Sequence, residues 1–132
     1  MQEKIIHSPE EMFAFGEQLA NEHKVLLLKG ELGAGKTLLT KGFAKGLGIN
    51  PDQVQSPTYT YINIYDNKLL HMDLYRLNDL EEMTKKGIFD QMSQFEHICI
   101  ERPKFEDYLD LDDHVSLLIE KIEKGRKISI EG

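Results

Sequence analysis

The chain alternates between two hydrophobic periods. Lys24 to Gly30 (KVLLLKG) is a continuous apolar run, too short for a typical helix, and it predicts a strand buried on both faces. Before it, Met12, Phe13, Gly16, Leu19 and Ala20 recur at helical spacing to about Glu22. That helix has a start signal: Ser8 as N-cap, Pro9 at the first helical position and Glu11 three residues on, closing a capping box. After the apolar run, Leu38, Leu39, Phe43, Ala44 and Leu47 mark one side of a second helix, Lys36 to Leu47, ended by Gly48 and Pro51. Lys4 to His7 predicts a short edge strand. Residues 59–74 read as a hairpin, with Asp66-Asn67 as its turn and Leu69 to Leu74 as its return strand. A helix from Asp79 to about Gln91 is broken at Gly87. His97 to Glu101 is another short buried strand. Val115 to Ile122 and Lys127 to Ile130 form a final strand pair around Glu123-Lys124-Gly125, although the first of them also reads as a helix. Strands alternating with helices imply an α/β class: a mostly parallel sheet flanked by helices, with an added antiparallel hairpin.

Between the apolar strand and the second helix lies Gly30-Glu31-Leu32-Gly33-Ala34-Gly35-Lys36-Thr37, a complete G-x-x-x-x-G-K-[ST] phosphate loop. Glycines let the backbone take left-handed angles, so consecutive N–H groups point inward. With the positive end of the following helix they form a cradle for nucleotide phosphates. Lys36 is placed to reach the β- and γ-phosphates, and the Thr37 hydroxyl to bind Mg²⁺. A strand before and an apolar-faced helix after are the context that separates such a loop from a glycine-rich turn, so the expectation is one P-loop NTPase-like domain over residues 1–132.

A P-loop needs a carboxylate at the end of a neighbouring strand. Asp73 follows Leu69-Leu70-His71-Met72, and Glu101 follows His97-Ile98-Cys99-Ile100; spacing alone does not choose between them. Ser56-Pro57-Thr58 sits where switch segments meet the γ-phosphate, but also reads as a hydroxyl-capped turn. Arg76 is either a charge stabiliser or a plain surface arginine. The five histidines show no metal spacing. Cys99, alone of its kind and set in an apolar strand, reads as a buried inert thiol. The acidic run from Glu106 to Asp113 reads as a solvated loop.

Composition narrows the function. The chain has 132 residues, 40% of them hydrophobic and 30% charged, with 16 basic and 23 acidic residues giving a net charge of −7. Autonomous nucleic-acid binding usually brings a basic excess, so DNA or RNA binding by this chain alone is disfavoured. No stretch approaches the ~20 apolar residues that span a bilayer, and no signal-peptide pattern opens the chain, so the expected location is the cytoplasm. The single cysteine fits a reducing compartment. Arginine occurs only at 76, 102 and 126, which counts against a small-molecule or nucleotide kinase with an arginine-bearing lid. A guanine-nucleotide switch is disfavoured because Asn67-Lys68 continues into Leu69-Leu70 and not into the guanine-reading Asn-Lys-x-Asp. A non-enzymatic module that keeps only the loop's shape is the remaining alternative.

Four segments occur in one order: GELGAGKT at 30–37, SPTYTYIN at 56–63, HMDLYRL at 71–77 and a strand ending in Glu101. Together they resemble the TsaE (YjeE) family of bacterial P-loop ATPases over nearly the whole chain. The resemblance implies binding of ATP and Mg²⁺ and slow, partner-dependent hydrolysis to ADP and phosphate. It also implies action with TsaB and TsaD in making N6-threonylcarbamoyladenosine in certain tRNAs, touching tRNA only through that complex. It assigns Gly33, Ala34, Gly35, Lys36, Thr37 and Leu38 to the nucleotide and Thr37 and Glu101 to the metal. Lys36, Thr58, Asp73 and Glu101 become the catalytic set, with Asp73 a helper in metal or water positioning and Thr58 the switch-like threonine. Residues near the first helix would lie against the adenine. There is one departure: the family usually has tryptophan after the glutamate, and this chain has Arg102-Pro103-Lys104.

Overall fold

The structure, a computed structural model, describes residues 2–31, 33–57, 61–75, 77, 79–103 and 113–131. Val25 to Leu28 are all buried, as a strand covered on both faces requires. Around that strand, β2 (Val25–Gly30), the described residues place β1 (Gln2–Ile6), α1 (Pro9–Glu22), α2 (Lys36–Gly46), a 3₁₀ turn (Pro51–Gln53), β3 (Ile62–Tyr65) and β4 (Leu69–Asp73). Then follow α3 (Leu80–Lys85), α4 (Ile88–Met92), β5 (His97–Glu101), β6 (His114–Ile122) and β7 (Gly125–Glu131). The strands form one sheet in the order β1-β7-β6-β2-β5-β4-β3.

The parallel part is the centre, β6-β2-β5-β4; the pairs β1–β7, β6–β7 and β3–β4 are antiparallel. Half of the strand pairings are therefore antiparallel: the 59–74 hairpin and the final strand pair expected from the sequence, and a third pair, β1–β7, that was not expected. The cause is the tight turn that pairs Ile122 with Gly125, which folds β7 back on β6 and gives β1 an edge to join. The segment that also read as a helix is strand β6. The interrupted helix is two helices, with Gly87 in the left-handed region (φ 72°) between them. Among the described residues no helix is long and apolar enough to cross a membrane.

Alternation along β2 divides the core. Leu26 and Leu28 face α1 and α2 together with Leu39, Phe43, Val115, Leu117 and Ile128. Val25 and Leu27 face Met83, Ile88 and Met92 of the short helices, with Leu70, Met72 and Ile100. The two long helices touch through glycines: a Cβ on Gly16 would sit 2.1 Å from the Leu39 carbonyl oxygen, and one on Gly42 2.0 Å from that of Phe13. This close approach draws α2, and the loop that feeds it, down onto the sheet. At the start of α1 the Ser8 hydroxyl accepts from Glu11 N–H at 3.2 Å, as the sequence predicts. Glu11 itself reaches one residue further back than a capping box, accepting from His7 N–H at 2.7 Å.

Parallel registry brings the strand ends level. Leu28 of β2 is paired with Glu101 of β5, and Glu101 with Asp73 of β4. The carboxylates thus stand side by side at the carboxyl edge of the sheet, two residues below the start of the glycine-rich loop.

Candidate functional site

The glycine-rich loop leaves β2 at Gly30 and enters α2 at Lys36. Gly33 (φ 81°) and Gly35 (φ 117°) occupy the left-handed region, where a side chain would be strained. Gly35 is the N-cap of α2 and supplies no side-chain cap, so the first N–H groups of that helix are offered to the loop's interior. From the far side, Arg126 of β7 donates through Nε to the Ala34 carbonyl at 3.0 Å and through Nη1 to its neighbour Gly125 at 2.8 Å, bracing the loop's outer wall.

Lys36 is 5% exposed and folds back to donate from Nζ to the Gly30 carbonyl at 2.6 Å. Burial pushes its ammonium below the ordinary lysine value; Glu101 and Asp73 oppose that shift and the Arg102 guanidinium adds to it. Lys36 is therefore a desolvated cation whose charge Glu101 and Asp73 favour and Arg102 opposes.

The two carboxylates are equally buried, Asp73 at 2% and Glu101 at 3% exposed, but differently held. Glu101 accepts from His71 Nε2 at 2.5 Å. His71 Nδ1 lies 3.0 Å from the Tyr65 hydroxyl, and that oxygen meets the Gln55 N–H at 3.2 Å and the Gln55 carbonyl at 3.1 Å. A carboxylate only accepts, so the imidazole carries a proton on Nε2, aimed at Glu101. The Tyr65 hydroxyl and Asn63 Nδ2 both donate to the Gln55 carbonyl, at 3.1 and 3.2 Å. Burial raises the Tyr65 phenol above its ordinary value, which keeps it a donor. Asp73 accepts instead from Tyr75 N–H at 3.0 Å and pairs with the Arg102 guanidinium, which also stacks on the Tyr75 ring, 4.4 Å from its centroid.

Two cavities flank the loop. One, of about 300 Å³, is lined by Gly33, Lys36, Thr37, Ser56, Glu101 and Arg102, with Gly35 and Leu38 completing its wall. The other, of about 200 Å³, lies between Pro9 and Met12 of α1, Ala34, Leu38 and the Gly125-Arg126 start of β7. The structure thus brings together most of the residues predicted from the loop motif. Ala34 belongs to the second cavity, and Asp73 lines neither. Thr58 and Arg76 lie outside the described residues. Sequence reasoning missed His71, Tyr65 and Arg126. For His71 the signal was its spacing: two residues before Asp73 in a strand means the same face. Arg126 had no local signal, because its contact with Ala34 spans 92 residues.

Among the described residues no cluster of three or more His, Cys, Asp or Glu stands ready to hold a metal by itself. One hydroxyl and one carboxylate in the cavity beside the loop are a donor set that suits Mg²⁺, which keeps waters and takes its other oxygens from phosphates. The residues present therefore fit a magnesium-bound nucleotide.

The family model described as "Threonylcarbamoyl adenosine biosynthesis protein TsaE" matches residues 6–128. A protein of Aquifex aeolicus named tRNA threonylcarbamoyladenosine biosynthesis protein TsaE is 42% identical over 97 residues, 67% of this chain and 73% of its own length. The protein of that name from Borreliella burgdorferi is 35% identical over 114 residues, 83% of this chain and 82% of its own length. In Bacillus subtilis the protein of that name is 49% identical over 81 residues, 57% of this chain and about half of its own length (51%). A crystal structure of Bacillus subtilis YdiB superposes with a TM-score of 0.68 at 28% identity, covering 98% of this chain and 83% of that one. The chain belongs to the TsaE family.

Proposed function

We propose that this chain is a cytoplasmic ATP-binding and slowly ATP-hydrolysing subunit of the machinery that makes N6-threonylcarbamoyladenosine in tRNA, working with TsaB and TsaD. Its relatives carry that biosynthesis in their names. The observation that carries the nucleotide reading is Lys36. It is a buried cation on a left-handed glycine loop, sharing one cavity with Thr37 and Glu101.

In this reading the loop N–H groups and Lys36 hold the β- and γ-phosphates, Lys36 exchanging the Gly30 carbonyl for phosphate oxygen. Thr37 and Glu101 hold Mg²⁺, which when bound neutralises charge developing on the phosphates. Glu101 and Ser56 border the space open to an attacking water. His71 keeps Glu101 in one rotamer, and the loop brace from Arg126 keeps the donors aimed. The second cavity takes the adenine, with Met12 and Leu38 as apolar walls and the Arg126 guanidinium as a flat edge. An acidic chain in such an assembly leaves tRNA to its partners and contributes a nucleotide-driven change of state.

The test is reconstitution. Threonylcarbamoylation of tRNA with TsaB, TsaD and a carbamoyl-adenylate supplier should require this protein, and Lys36→Ala should not replace it. Calorimetry with ATP should give heat of binding for the wild type and none for Lys36→Ala. Unchanged turnover when the protein is omitted would remove the biosynthetic reading. Phosphate appearing on an added small acceptor in place of free phosphate would favour a kinase.

A further inference from the structure

Arg102 lines the cavity beside the loop, and the P-loop chemistry has no assigned task for it. It follows Glu101 directly, at the carboxyl end of β5, with its backbone in the left-handed region (φ 47°). Arg102 N–H donates to the Leu28 carbonyl at 2.8 Å, so the turn is tied to the strand that launches the loop. A non-glycine residue in that conformation is uncommon and clusters where function fixes the backbone. Its side chain runs along the mouth of the cavity, over the exposed ring of Tyr75 and against Asp73.

We propose that Arg102 reads the γ-phosphate, making the site prefer a nucleoside triphosphate to a diphosphate; this rests on the nucleotide reading above. Three observations carry it. Arg102 lines the same cavity as Gly33, Lys36 and Thr37, so an anion held by the loop lies between two cations. Its guanidinium is already positioned, with Asp73 held in turn by Tyr75 N–H and the Tyr75 ring beneath the guanidinium as a platform. A planar fork of five donors can keep Asp73 on one edge and meet a terminal phosphate oxygen on another, which an ammonium cannot do. The charges of Arg102 and Lys36 also feel each other, since Arg102 pushes the Lys36 ammonium down. The third phosphate sits between these like charges and removes their repulsion; a diphosphate ends one phosphate earlier and meets Lys36 alone.

Calorimetric titration of the full chain tests this, with ADP and with a non-hydrolysable ATP analogue, each with and without Mg²⁺. In Arg102→Gln the analogue should bind about tenfold more weakly, the loss of one charge-assisted hydrogen bond, while ADP affinity stays within about twofold. Arg102→Lys should recover charge but not the fork, and fall between the two. Thermal melts without nucleotide check that both variants fold; if Arg102→Gln does not, the lysine variant still decides, through its ratio of analogue to ADP affinity. Equal weakening of both ligands, or no change in either, in a folded variant would overturn the proposal and leave Arg102 as a brace for Asp73. A wild type that binds neither ligand would overturn the nucleotide reading itself, a different result.

Discussion

Two carboxylates end two neighbouring strands at the same level, paired in register, equally buried, and yet they are not equivalent. Glu101 faces the cavity beside Lys36 and Thr37; Asp73 stands behind Arg102 and lines no described cavity. Their partners differ in kind. Glu101 is held by an imidazole, whose N–H fixes the carboxylate's direction. Asp73 is held by a guanidinium, which balances the charge outright. In the reading proposed above, the carboxylate that takes a cation is the one open to the cavity, Glu101. Position at a strand end makes an acid a candidate; the space it faces and the partner that holds it separate the two.

The sharpest way to break this comparison is to remove each charge in turn. Glu101→Gln keeps shape and still offers an oxygen to His71, but loses the anion. Mg²⁺-dependent phosphate release should fall on the order of 100-fold, with nucleotide binding in the absence of Mg²⁺ little changed. Asp73→Asn should cost roughly tenfold less than that, because its side chain pairs with Arg102 and lines no described cavity. Its larger mark should be on the melting temperature, where a partly buried guanidinium loses its counter-charge. Steady-state phosphate release across a Mg²⁺ titration measures both variants. Equal losses, or a larger loss for Asp73→Asn, would reverse the assignment of roles.

A subtler perturbation acts two bonds away. Tyr65→Phe deletes one hydroxyl, leaving the Gln55 N–H without its acceptor and His71 Nδ1 without its partner. The expected cost is about 1–3 kcal/mol of stability, read by denaturant unfolding, because buried polar groups lose their partners. Phosphate release should fall severalfold as Glu101 gains rotamer freedom. A change in the imidazole ¹⁵N shifts of His71, with the ring free to take either tautomer, would tie the effect to the relay and not to a general loosening. The same variant leaves Asp73 and Arg102 untouched, so it tests one half of the comparison alone.

How much of this was legible in the sequence follows from the range of each interaction. The loop is a local motif: Gly33, Gly35, Lys36 and Thr37 carry their chemistry within a few residues, and the flanking strand and helix announce themselves by period. The choice between Asp73 and Glu101 was not legible, since both end short buried strands. What distinguishes them is contact with His71 and Arg102, which lie 30 and 29 residues from the acids they hold. Register is the missing information. His71 lies opposite Cys99 across β4 and β5, yet its hydrogen bond runs diagonally to Glu101, two residues further on. The mixed sheet was also partly hidden, because a first strand pairing with a last one leaves no trace in either segment.

That diagonal leaves Cys99 opposite an imidazole it does not use, and gives the smallest and cleanest test. The thiol is fully buried and meets the Thr40 hydroxyl at 3.3 Å. Burial, then the nearby Glu101 charge, pushes it well above its ordinary 9.0, against the pull of the Thr40 hydrogen bond. A thiol whose folded value is raised holds its proton where the unfolded chain loses it. Its contribution to stability is complete below pH 9.0 and is lost progressively above it. Alkylation at pH 8 should therefore wait on unfolding: slow in the native protein, fast in denaturant, and timed by mass spectrometry. The urea midpoint should also fall as the pH climbs past about 9 in the wild type, and fall less in Cys99→Ala. Fast native alkylation would mean that β5 opens at its centre, and a strand that opens there cannot hold Glu101 in register with Asp73.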